Sequence, residues 1–130
     1  MRKNAVPSAA LAAIAQVVPA QRCSMVRFVD LIAGKWAIPI LYRLILFGEA
    51  VRFSDLQRAL APITQKELTR QLRAFEASGL VSRTVYAEVP PRVEYRITAL
   101  GATLHEPLAG LAQWMEEHGG RVHRSEGIPG

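Results

Sequence analysis

The sequence predicts an α+β fold, mainly helical, and three observations carry that prediction. Within TQKELTRQLRAFEASGL, Leu68, Leu72 and Phe75 recur at i, i+4 and i+7, the period of a helix that packs one face on a core. Directly after it, LVSRTVYAE and RVEYRIT are rich in Val, Tyr, Ile and Thr. In the second, Val93, Tyr95 and Ile97 alternate with Arg92, Glu94 and Arg96, as in a half-buried strand. ALGATLHEPLAGLAQWMEEHGG then returns to helical spacing, with Leu104, Leu108, Leu111 and Met115 on one face and a kink expected at Pro107. With 130 residues, half of them hydrophobic, the chain can bury one core of useful size.

From the start, residues 1–22 form an extension. Arg2–Lys3, an apolar stretch and VPAQ imitate a secretory signal, but the stretch is mostly alanine and is broken by Pro7, Ser8 and Gln16. Leu11, Ile14 and Val18 instead fall at i, i+3 and i+7, as on an amphipathic helix that packs on a partner. SMVRFVDLIAGKWAIPILYRLILFG holds two helices separated near Gly34. Val26, Val29 and Leu31 face inward on the first, and Trp36, Ile40, Leu41, Leu44 and Ile45 on the second. Pro39 fits the first turn of a helix beginning near Lys35, and Gly48 ends it. The apolar run around Arg43 is too short to span a membrane, which takes about 20 residues, so no membrane partner is expected.

RFSDLQRAL begins a short helix, with Ser54 and Gln57 spaced as a capping box and Leu56 and Leu60 on the buried side. APIT turns at Pro62, Thr64 and Glu67 are spaced as a second capping box, and Gly79 closes the helix. Helix, turn, helix and then a hairpin over 81–98 make a winged helix-turn-helix. Residues 23–118 are its domain, and the glycine-rich tail over 119–130 is expected to be disordered.

The helix over about 64–78 has a second face. Lys66, Thr69, Arg70 and Arg73 fall at i, i+3, i+4 and i+7 opposite the leucines, with Gln65 at the edge. Such a face can simply meet water. Following a helix and a turn and preceding a hairpin, it reads as a DNA-recognition helix, because a helix about 10–12 Å across fits the roughly 12 Å major groove of B-form DNA. Gln65, Thr69 and Arg70, near the helix start, suit base edges, whereas Lys66 and Arg73 suit phosphates. On the wing, Arg92 and Arg83 are candidates for backbone or minor groove, each equally readable as a solvated side chain; Arg52 is a candidate phosphate contact. Net charge is +5, made of +4 over residues 1–50, +3 over 51–98 and −2 over 99–130, which favours a polyanionic partner for the body of the chain.

GKWAIPILYRLILFGEAVRFSDLQRAL, ITQKELTRQLRAFEASGLVSR and YAEVPPRVEYRITALGATL, with Cys23 upstream and Trp114 in the last helix, resemble the HxlR-type winged helix-turn-helix regulators of bacteria. The likeness runs from residue 23 to about residue 116. It implies a cytoplasmic, homodimeric, DNA-binding transcription factor whose first and last helices form the dimer interface. Leu11, Ile14, Val18, Leu104, Leu108, Leu111 and Met115 are the apolar positions available for that contact. Two recognition helices would then meet a pseudo-palindromic operator. The chain departs from the family at API, where a Gly-containing turn is usual, at Glu67, where an apolar residue is commoner, and in its longer extension before Cys23.

Cys23 matches the cysteine through which some family members sense electrophiles or oxidants, and a small-molecule or redox effector is therefore part of the expectation. That chemistry needs a thiolate, hence exposure and a nearby cation or helix N-terminus. The competing reading is a small residue packed at a helix start. Cys23 is the one cysteine, so a disulfide would be intermolecular or with a small thiol. Catalysis is not expected: His105, His118 and His123 are scattered, with no grouped acid, base and nucleophile. HGGRVH is weak as a metal spacing, and neither metal nor cofactor is expected. The rival function is a winged helix used only for protein contacts.

Overall fold

A computed structural model describes residues 23–122. The extension helix with Leu11, Ile14 and Val18, and the end of the chain including His123, lie outside the described residues. Helix α1 spans Ser24–Ile32 and α2 spans Ala37–Phe47. A two-residue strand β1, Val51–Arg52, leads into α3, Phe53–Ala59, and then α4, Gln65–Ala77. Strands β2, Val81–Tyr86, and β3, Arg92–Ile97, form the wing. The chain closes with α5, Ala99–Ala102, and α6, His105–His118.

The core gathers one face of each element. Ile40, Leu41 and Leu44 of α2, Leu56 of α3, and Leu68, Leu72 and Phe75 of α4 are fully buried, with Val81 and Tyr95 closing it from the sheet. Each such side chain contributes roughly 1.5–3 kcal/mol by leaving water, which holds α4 to the body by its leucine face. The sheet is antiparallel, in the order β1-β3-β2, with Arg83 opposite Tyr95 and Tyr86 opposite Arg92. Strand β1 is too short for periodicity to reveal; it pairs Val51 with Tyr95 and Arg52 with Glu94.

Local chemistry sets the ends. Pro39 lies in the first turn of α2, where its missing N–H costs no helical bond, and Gly48 ends the helix at φ 68° with its N–H donating to Leu44 O at 3.1 Å. Thr98 joins the wing to the C-terminal segment: its Oγ1 donates to Gly79 O at 2.7 Å and accepts from Gly101 N–H at 3.0 Å. A Cβ at Gly101 would collide with the Leu80 carbonyl oxygen, so α5 sits against the strand start as only glycine permits.

Several expectations are corrected. Val29 is 52% exposed, and it is Leu31 and Ile32 that pack on the core from α1. The Ser54–Gln57 box does not form, because α3 starts two residues early, at Phe53 with Arg52 as its N-cap; Gln57 Nε2 instead donates to Ile63 O at 3.3 Å and ties the turn together. Only half of the second box forms: Thr64 Oγ1 accepts from Glu67 N–H at 3.1 Å, while the Glu67 carboxylate turns to Arg70. The C-terminal helix is two helices broken at Thr103–Leu104, and Pro107 sits in the first turn of α6 rather than at a kink. Beyond α6 the chain continues as a 3-10 turn over Gly119–Arg121 where a disordered tail is expected. Leu104 packs on the core and Leu108 is buried, so these two residues serve the monomer's own interior rather than a free dimer face.

Candidate nucleic-acid interface

The inter-helix turn presents α4 by its N-terminal end, and the wing folds back beside it. Between them lies a cleft of about 560 Å³. Six predicted residues line it: Arg52, Gln65, Thr69, Arg73, Arg83 and Arg92. Its walls also carry Phe53 and Tyr95, whose rings lie 6.3 Å apart at 52°, and Pro90 and Pro91 of the wing. Four arginines face one carboxylate there, Glu88. The remaining two predicted residues, Lys66 and Arg70, line a more open depression of about 590 Å³, again with Gln65 and Thr69. Gln65 and Thr69 thus form the ridge between two cationic hollows, and all eight predicted residues share one continuous face.

They are not equally available. Lys66, Arg73, Arg83 and Arg52 are exposed, and Thr69 is half-buried. Arg92 is held within the wing: Nη2 lies 3.2 Å from Glu88 Oε2, Nε lies 3.2 Å from Glu94 Oε2, and the guanidinium sits 4.1 Å from the centre of the Tyr86 ring. Its Nε is buried and not aimed at any acceptor, so the contact with Glu94 is an ion pair rather than a directed hydrogen bond. Arg92 is therefore engaged as a clamp on the wing, which corrects its reading as a freely solvated side chain.

Arg70 is also engaged. Its Nε donates to Glu67 Oε1 at 3.4 Å and its Nη2 pairs with Glu67 Oε2. The Arg70 hydrogen bond holds the Glu67 carboxyl below the usual carboxylate range; this outweighs the opposing effect of desolvation, and Arg70's charge and a hydrogen bond from Gln71 add to it. Glu67 is the site residue missing from the prediction, although its i, i+3 spacing to Arg70 is visible in the sequence. Phe53 and Tyr95 escaped it too, because only the paired β1 brings them together.

Away from this face, Cys23 is the N-cap of α1, partly buried, with no side-chain capping bond. Among the described residues no group of His, Cys, Asp and Glu could hold a metal ion, and no helix is long and apolar enough to cross a membrane.

Residues 31–123 match the HxlR-like helix-turn-helix family. The chain belongs to that family. HxlR-like proteins are DNA-binding helix-turn-helix transcriptional regulators, and this chain is an HxlR-type regulator by that membership. It is similar to YdeP of Bacillus subtilis (strain 168), described as an HTH-type transcriptional regulator, with 38% identity over 104 residues and 80% of each chain covered. Among solved structures it is similar to one described as a MarR-family transcriptional regulator from Porphyromonas gingivalis W83. The TM-score is 0.69 at 29% identity, over 78% of this chain and 98% of that one. It is also similar to the redox regulator HypR in its oxidized form, with a TM-score of 0.63 at 40% identity over 73% and 96%. The winged helix-turn-helix read from the residues is thus the fold of its HxlR-like and MarR-family neighbours.

Proposed function

We propose that the protein is a homodimeric, sequence-specific binder of double-stranded DNA that inserts α4 into the major groove and lays the wing along backbone or minor groove. The single observation that carries this is the gathering of Arg52, Gln65, Thr69, Arg73 and Arg83 on one cleft, with Lys66 and Arg70 across the Gln65–Thr69 ridge. The ridge suits base edges and the flanking cations suit phosphates on either side of the groove. Arg92 supports the wing from within.

The dimer reading rests on α6. Beyond the buried Leu108, Leu111, Trp114 and Met115 stay about half exposed at helical spacing, an apolar face unusual for water and apt for a two-fold partner. Such a dimer sets two α4 helices on a pseudo-palindromic operator, one turn or a multiple apart. Cys23, a free and partly exposed thiol at the start of α1, suits a redox or electrophile response, and the similar HypR is named a redox regulator. Alkylation of Cys23 should then change operator affinity.

The test is binding to duplex DNA across salt concentration. A DNA reader shows log K falling linearly with log[salt] and an enriched sequence in a selection from random duplexes. Indifference to duplex DNA at low salt would instead favour a winged helix used only for protein contacts.

A further inference from the structure

We propose that Glu67 is a specificity-determining residue, a positioning group that fixes which edge of the Arg70 guanidinium faces the groove. The inference rests on the DNA-binding reading above and names a residue that reading does not use. A guanidinium carries five N–H donors in a rigid plane. Glu67 accepts from the edge formed by Nε and Nη2. That leaves the end edge, Nη1 with the second N–H of Nη2, carrying two parallel donors, the arrangement that matches O6 and N7 of guanine. Arg70 is 62% exposed and would otherwise sample many rotamers, most of them equally suited to a phosphate.

Glu67 is itself held. Its backbone N–H donates to Thr64 Oγ1 at 3.1 Å in the first turn of α4, where the helix dipole favours an anion. Gln71, one turn on, is buried beneath the same face. The carboxylate is a fixed negative charge on a face otherwise cationic, so it opposes indiscriminate phosphate contact while leaving the guanine-facing edge free.

The test compares Glu67→Gln with wild type. The substitution is close to isosteric and keeps the backbone N–H on Thr64, and thermal melting checks that the fold is retained. The base pair in question is the one at which Arg70→Ala relaxes preference. A bidentate arginine discriminates there by roughly 5- to 150-fold. Glu67→Gln is expected to lower that ratio at least about fivefold while raising affinity for unrelated duplex. In an Arg70→Ala background it should leave the residual ratio at that base pair unchanged. An undiminished ratio in Glu67→Gln, or an equal loss in both backgrounds, overturns the proposal. A wild type that binds no duplex overturns the DNA-binding reading and this one with it; a wild type that reads sequence while Glu67→Gln matches it overturns this one alone.

Discussion

Arg73→Ala separates an outward cation from an internal one most sharply when set beside Arg92→Ala. Arg73 lies on the exposed face of α4, lines the cleft, and forms no ion pair among the described residues. In a two-fold complex its removal takes away two phosphate contacts. With a slope of about −0.9 per phosphate, log K against log[salt] should become shallower by about 1.8. Between about 50 and 200 mM salt, wild type should therefore lose about twelvefold more affinity than the variant does. Arg92 is already compensated by Glu88, Glu94 and the Tyr86 ring, so its removal should loosen the wing and lower affinity with little change of slope. Fluorescence anisotropy on one labelled duplex over a salt series reads both. An unchanged slope in Arg73→Ala together with a shallower one in Arg92→Ala would refute the assignment of outward and inward cations.

Three further expectations follow from the same geometry. Leu72→Ala opens a cavity in a fully buried position and should cost about 2–5 kcal/mol of stability, read by denaturant unfolding. Leu111→Asp places a charge on the exposed apolar face of α6 and should shift the protein toward monomer in sedimentation without abolishing the fold, weakening operator binding by concentration-dependent loss of the dimer. Glu67 has its folded pKa lowered from 4.5, so the contribution of its pair with Arg70 is fully present above the ordinary carboxylate range and lost as pH falls through the lowered value. Base discrimination should therefore stay flat between about pH 6 and 8, and a titration of it in that window would contradict the ion pair.

Most of the fold was legible because the elements announce themselves by period. The leucine stripe of α4 and the alternation of Val93, Tyr95 and Ile97 are statements about which face is buried, and the structure buries or half-buries each of them. What escaped was set by contacts between distant segments. Strand β1 has two residues and exists because β3 offers it an edge. The break before α6 comes just after Gly101 packs on Leu80, a contact no spacing reveals, and the Ser54 box was lost to a two-residue shift in helix start. The face of candidate residues was readable from helical spacing alone. Their pairing was not: Arg92 and Arg70 are each bound to a carboxylate that spacing lists as a neighbour but cannot assign as a partner. Leu108 likewise belongs to a helical stripe in sequence, and only packing shows that the stripe divides between the monomer's core and its surface.

The central claim is that α4 reads bases from the major groove, and guanine N7 reports on that groove directly. Duplexes selected from a random pool would be methylated at N7 and assayed for interference with binding. Methylation should block binding at guanines in two symmetry-related half-sites with centres one helical turn or a multiple apart, about 34–36 Å per turn, and that interference should be lost in Arg70→Ala. Binding that tolerates N7 methylation throughout, or a pool that yields no enriched sequence, would contradict it.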